Sequence, residues 1–148
     1  MDIRSKIKEQ FPLQGAPSYR LSDAIVEDDY GDTSLTFEES WNTWAEIENW
    51  QIVKSDVFFS YAPKSAAIYL LPRFMIFVLD EIESKLEPQY LGNSAGDCAV
   101  WYIQTLKKKN YKNTKLTSLQ IEVLENFLAY IYKDLDYRVT VDVGDEQP

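Results

Sequence analysis

The sequence predicts a mainly α fold: a single domain of five to six helices around a buried, proline-kinked central helix, with a short strand allowed at the C-terminus. Three observations predict it. Residues 66–79 (AAIYLLPRFMIFVL) are apolar on every side of a helical wheel, which marks either a membrane span or the centre of a globule. That run has about 14 residues, short of the ~20 a bilayer needs, and it carries Arg73 and leads into Asp80, Glu81 and Glu83. Next, Ile121, Leu124, Leu128, Ile131 and Leu135 alternate by three and four, the spacing of one helical face. Last, 148 residues with 45% hydrophobic and 14% aromatic content suit one domain with a filled core and argue against disorder.

Residues 1–12 read as a short N-terminal helix. Ile3, Ile7 and Phe11 form its apolar stripe and Pro12 stops it. Residues 13–35 read as an acidic, irregular segment: Gly15, Pro17 and Gly31 break any helical period, while Leu21, Ile25 and Val26 can anchor the segment on the core. The helical core spans 36–135. It opens on Thr36-x-x-Glu39, a capping box, followed by Phe37, Trp41 and Trp44 on one helical face with Ile47 beside them. Glu48 falls on that apolar face and needs a partner or an edge. Residues 49–55 read as a turn or helix end.

Pro63 suits the first turn of the central helix. Pro72 lies in its interior, where proline removes one backbone bond and bends the axis, unless two helices abut there. A further helix over 94–109 has Ser94-x-x-Asp97 as its cap, an inner face of Ala99, Tyr102, Ile103 and Leu106, and lysines at its C-terminal end that complement the helix dipole. Thr117-x-x-Gln120 is a second capping box, stapled by Leu116 and Ile121, for a helix over 118–135. In the tail, 136–148, Val139, Val141 and Val143 alternate as a short strand would.

The net charge of −9 is unevenly placed. Between Arg20 and Lys54 there is no basic residue, and that gap holds Asp23, Glu27, Asp28, Asp29, Asp32, Glu38, Glu39, Glu46 and Glu48. Those nine acids equal the whole net charge, so the rest of the chain sums to zero. A single-sign field of this kind repels nucleic acid and steers a basic partner, more weakly as salt rises.

Much chemistry is excluded. There is no histidine, so Ser-His-Asp and Cys-His catalysis and histidine metal sites are absent. The single cysteine, Cys98, allows no internal disulfide and no cysteine cluster for a metal; beside alanine and with no base to activate it, it reads as a small core residue. The five glycines form no phosphate loop. The acidic stretch fails as a calcium loop in both registers: Glu39 as the last ligand puts Tyr30 and Thr33 at key positions, and Gly31 as the hinge puts Val26 first. Asp80, Glu83 and Lys85 echo a metal-nuclease triplet, but on a helix of an acidic chain they read as a charged helix end with Glu81 and Lys85 paired at i, i+4. The lysines of 107–115 read as a solvated helix end and loop, with phosphate binding the other reading. The chain begins without an apolar signal segment, which predicts a cytoplasmic protein.

Trp44-Ala-Glu-Ile47, Phe59-Ser60, Tyr69-Leu-Leu-Pro72, Leu116-Thr117-x-x-Gln120 and Phe127-Leu-Ala-Tyr130 together resemble a small bacterial family of short acidic proteins of unknown function. The resemblance covers about residues 40–132 and its motifs are caps and core, so it implies a fold and no activity. That family usually shows Tyr-Tyr-Leu-Pro where this chain has Tyr-Leu-Leu-Pro. In overall character the chain also resembles the immunity proteins that neutralise polymorphic bacterial toxins. The resulting expectation is a non-catalytic binding protein without cofactor or metal, contacting a basic cognate toxin and neither nucleic acid nor membrane. The contact residues expected are Glu27, Asp28, Asp29, Tyr30, Asp32, Glu38, Glu46 and Trp50, with Trp50 as an exposed anchor beside unpaired acids. The alternative from another class is an enzyme or small-ligand binder using the Asp80/Glu83 helix end.

Overall fold

A computed structural model describes residues 2–137, so the expected strand over Val139, Val141 and Val143 lies outside the described residues. Among these there are seven α-helices: α1 (Ile3–Gln10), α2 (Leu21–Asp28), α3 (Asn49–Val53), α4 (Phe58–Tyr61), α5 (Lys64–Ile82), α6 (Ala95–Lys108) and α7 (Ser118–Ala129). Short 3-10 turns lie at Trp44–Glu46 and Pro88–Tyr90, and a π-helical turn, Tyr130–Asp134, continues α7. No described helix is long and apolar enough to cross a membrane.

The all-round apolar run is the centre of the bundle, as its composition requires. Helix α5 packs on α6, α1, α3 and the Trp44–Glu46 turn, so it is buried along most of its length, with Lys64 and Ser65 exposed in its first turn and Ile68, Tyr69 and Ile76 half-buried. Leu70, Leu71, Phe74, Met75, Phe77, Val78 and Leu79 are all fully buried. Burying a side chain of this size contributes about 1.5–3 kcal/mol relative to exposure. The helix is unbroken from Lys64 to Ile82 with Pro72 inside it, which is the single-helix alternative of the two that the sequence allowed. The cost is one backbone bond, because Pro72 has no amide to offer the carbonyl of Ile68. Helix α6 crosses α5 closely at Gly96, where a Cβ would stand 3.0 Å from Val78 Cγ2.

Arg73 is only 8% exposed. Its Nε donates to the Ile47 carbonyl at 2.9 Å and its Nη2 to Asn49 Oδ1 at 2.7 Å, so it ties the approach to α3 onto the central helix. Burial pushes its pKa down to about 10, which still leaves it a cation at neutral pH.

Capping explains the outer helices. Asp2 accepts from the Ser5 amide at 2.8 Å to start α1. The Thr117–Gln120 box forms as expected: Thr117 Oγ1 accepts from the Gln120 amide at 3.0 Å and Gln120 Oε1 from the Thr117 amide at 2.9 Å. Gln120 then spends its Nε2 on the Gln10 carbonyl at 3.0 Å, locking α7 to the end of α1. At α6 the cap is Asn93, whose Oδ1 accepts from the Ala95 amide at 2.9 Å, and not Ser94, whose hydroxyl donates to Asp56 at 3.0 Å.

Two stretches depart from expectation for one shared reason. Residues 13–35 contain a helix, α2, and the expected helix beginning at Thr36 does not form until the short turn at Trp44. Glu39, the intended partner of Thr36, instead accepts from the amides of Leu21 and Ser22 at 3.1 and 2.6 Å, capping α2 from outside. Thr36 donates to the Thr33 carbonyl at 2.9 Å. The aromatic residues of the stretch are nonetheless inside: Trp41 and Trp44 are buried and Phe37 is half-buried. The segment lies as a strap over the core, with the Arg20 guanidinium 3.8 Å from the centre of the Trp41 ring.

Candidate partner-binding surface

The site begins with how α2 starts and stops. Its first turn is satisfied by carboxylates: Asp23 accepts from the Arg20 amide at 2.7 Å, and Glu39 takes the next two amides. Negative charge there suits the positive end of the helix dipole. The other end is the reverse. Glu27 and Asp28 lie in the last turn, where carboxylates face the negative end of the dipole, and no cation accompanies them. Each such placement costs a few tenths of a kcal/mol to about 1 kcal/mol.

The chain leaves α2 through Asp29, Tyr30 and Gly31, and the Gly31 amide closes the turn on the Val26 carbonyl at 2.8 Å. Gly31 has φ +90° and Tyr30 has φ +55°, a left-handed conformation that a bulky residue rarely adopts. Tyr30 is fully exposed, at 101% of its reference area. Leu35, further along the same loop, is 65% exposed. Asp32 Oδ1 accepts from the Ser34 amide at 2.8 Å, and that bond holds its carboxyl below the usual carboxylate range.

Helix α4 packs against α2 and adds Tyr61, whose hydroxyl donates to Asp28 Oδ1 at 2.9 Å. That hydrogen bond, then partial desolvation, pushes the Tyr61 pKa up. Tyr19, nearby, is pushed up by burial first and by Glu27 second. Sequence reasoning missed Tyr61 and Leu35. Nothing in the local sequence of α4 marks Tyr61 as a neighbour of the acids, because the pairing of α2 with α4 is tertiary. Leu35, an apolar residue inside a polar turn-like stretch, was a readable signal.

Of the expected contact residues, the structure gathers Glu27, Asp28, Asp29, Tyr30 and Asp32 at the end of α2 and in the turn after it. Glu38 is exposed on the strap. Glu46 is exposed but engaged: it accepts from the Thr43 amide and hydroxyl, both at 3.1 Å, and from the Asn42 amide at 3.3 Å. Trp50 differs from its expected role as an exposed anchor. It is half-buried, its Nε1 donates to Glu48 at 2.6 Å, and Phe37 meets its ring edge-on at 5.1 Å. The reason is the strap, which brings Phe37 over the indole. Glu48 thus has the partner that its position demanded. No hydrogen bond or ring contact among the described residues joins the Glu46–Trp50 group to the Asp28–Tyr30 group.

The electrostatic result is simple. Ion pairs among the described residues join Arg4 to Asp80 and Glu83, Lys85 to Glu83, and Lys107 to Glu125. None of the nine acids between Arg20 and Lys54 takes part. Their hydrogen bonds run to amides, hydroxyls and indoles, none of which neutralises a charge.

At the other proposed site, the end of α5, Arg4 bridges Asp80 and Glu83, each at 2.7 Å. The Arg4 guanidinium holds the Glu83 carboxyl below the usual range. A cleft of about 510 Å³ opens beside it, lined by Glu83, Lys85, Asn126 and Tyr130 among others, but Asp80 is not on its wall. Lys85 pairs with Glu83 at 3.3 Å and not with Glu81, which is half-buried and pushed up by desolvation first and Asp97 second. Burial also pushes the Cys98 thiol up to about 11, away from nucleophilic reactivity at neutral pH. Among the described residues no group of three His, Cys, Asp or Glu side chains is placed to hold a metal ion.

Compared with protein-family models, with curated proteins and with solved structures, the chain matches none.

Proposed function

We propose that this chain is a non-catalytic binding protein: a bacterial immunity protein that occupies and neutralises a basic toxin domain in the cytoplasm. The observation that carries the reading is the acidic turn after α2, where a fully exposed Tyr30 stands in the same short stretch as Asp28, Asp29 and Asp32 and no cation among the described residues pairs with any of them. A large aromatic ring among desolvatable charges is the composition of an interface hot spot. Carboxylates kept at the unfavourable end of a helix cost stability in the free protein, and a basic partner would recover that cost. Glu27 and Tyr61 extend the patch, and Leu35 adds apolar area. Glu38, Glu46 and Trp50 stand in a flanking role. The other reading, an enzyme or small-ligand binder at Asp80 and Glu83, receives less support, because Arg4 already engages both carboxylates.

The test is protection in a bacterial host. The chain is co-expressed with the product of the gene next to its own, tested there as the toxin. Wild-type chain restores growth, and a triple variant, Asp28→Asn, Asp29→Asn, Tyr30→Ala, loses protection while its circular dichroism and melting temperature stay near wild type. Failure of the wild-type chain to protect, or full protection by the triple variant, contradicts the reading.

A further inference from the structure

The acidic surface leaves the lysines unexplained. With 24 acids against 15 lysines and arginines, a lysine in this chain has many carboxylates within its choice. Yet nine of the eleven lysines form no ion pair among the described residues, and five of the nine, Lys64, Lys108, Lys109, Lys112 and Lys115, lie at the start of α5 or between the end of α6 and the start of α7. Three of them, Lys64, Lys109 and Lys112, line one open cavity of about 620 Å³ together with Asn110 and Asn113. Among the described residues no carboxylate lines that wall, and its apolar area comes from the stems of the lysines themselves.

The wall is built from two elements. One is the start of α5, which has no side-chain cap and no acid in its first turn. The first amides of a helix have no intrahelical partner and carry the positive end of its dipole. The other is the loop from α6 to α7, and it is held in place. The Tyr111 hydroxyl donates to Glu125 on α7, and Lys107 pairs with the same carboxylate at 3.2 Å. Thr114 is buried, donates to the Tyr111 carbonyl at 2.8 Å and accepts from the Leu116 amide at 3.2 Å. Asn110, Tyr111, Asn113 and Lys115 all take left-handed φ values, between +55° and +61°. The loop therefore holds Lys109 and Lys112 toward Lys64 with no counter-charge, which is repulsive until an anion arrives.

We propose that this cavity binds a small phosphate-bearing anion, its oxygens held by the ammonium groups of Lys64, Lys109 and Lys112 and by the side-chain amides of Asn110 and Asn113. Lysine serves phosphate as a point charge, and amides add neutral donors between the charges. The ligand is small because only five side chains form the wall and because a long polyanion would meet the acidic field of the rest of the chain. Charges farther than about 8 Å are largely screened at physiological salt, so that field does not oppose a single small anion seated here.

The purified full chain is titrated calorimetrically with inorganic pyrophosphate, and separately mixed with vesicles carrying a phosphorylated inositol lipid in a neutral background. Saturable pyrophosphate binding assigns a free phosphate compound; vesicle binding without pyrophosphate binding assigns a lipid headgroup. In either case the double variant Lys109→Gln, Lys112→Gln weakens binding by about tenfold or more, and Lys133→Gln changes it less than about twofold. These lysines are exposed, so the melting temperature stays put and reports that the fold is intact. Absence of saturable binding to both probes, or equal binding by wild type and the double variant, overturns the proposal. It stands apart from the toxin-binding reading, and loss of either leaves the other in place.

Discussion

At the scale of single residues, Tyr30 carries the argument. A tyrosine at φ +55° is held in a backbone region that costs a side chain with a Cβ roughly 1–2 kcal/mol relative to the right-handed one. It also leaves its whole ring in water, so the side chain does nothing to offset that cost; the bond of its backbone amide to the Glu27 carbonyl, at 3.3 Å, is one that glycine keeps. Stability alone favours glycine there. We therefore predict that Tyr30→Gly leaves the free protein as stable or more stable by up to about 1 kcal/mol, since the extra unfolded-state entropy of glycine takes back part of the relief. The same variant releases the toxin at least about tenfold faster. Thermal melting and dissociation kinetics on one preparation separate the two effects. A less stable variant that holds the toxin as wild type does would make Tyr30 a structural residue. Arg73 shows the opposite logic: a charged group sits inside, and its hydrogen bonds to Ile47 and Asn49 fasten the approach to α3 onto the central helix.

At the scale of elements, Glu39 decides the local fold. It caps α2 across the chain and also accepts from Trp41 Nε1 at 2.6 Å. Glu39→Ala leaves two helix amides and a buried indole without acceptors, and we predict a loss of about 2 kcal/mol in chemical denaturation. Its exposed neighbour serves as control, because Glu38→Ala changes stability by less than about 0.5 kcal/mol. Equal losses in the two variants would remove the capping account. The same residue explains what the sequence disclosed and what it hid. The box at Thr117 and Gln120 was legible because both partners are local, and the central helix was legible because composition alone demands that it be surrounded. Thr36-x-x-Glu39 carried the same local signature, yet Glu39 is drawn to amides 17 and 18 positions earlier in the chain. Helix α2 was hidden for a related reason: Asp23 caps the Arg20 amide locally, but the next two amides take their acceptor from Glu39, outside the segment. Spacing still told that Trp41 and Trp44 go inside, since burial depends on which side faces the core and an irregular strap can satisfy it as a helix can.

At the scale of the whole molecule, charge is sorted. Nine acids fall between Arg20 and Lys54, at the end of α2 and on the strap among other places, while three lysines, Lys64, Lys109 and Lys112, share one wall at the start of α5. The unevenness was readable as a gap between Arg20 and Lys54; that the acids would stay free of every lysine was not, because pairing is decided by tertiary distance. The candidate surface was likewise half legible: the run from Glu27 to Asp32, Tyr30 included, was readable, whereas Phe37 over the Trp50 indole and Tyr61 against Asp28 are tertiary contacts that local sequence does not show.

The central claim is that an unpaired acidic surface recruits a basic toxin. Its most direct test is the association rate constant of the chain with the basic toxin domain that the protection assay identifies, measured by stopped flow at about 50 and about 500 mM salt. The account predicts a rate that falls by about tenfold or more over that range, with the fall much reduced when Asp28, Asp29 and Asp32 are all changed to Asn. A rate that ignores salt, or a salt dependence that the triple Asn variant keeps in full, would contradict it.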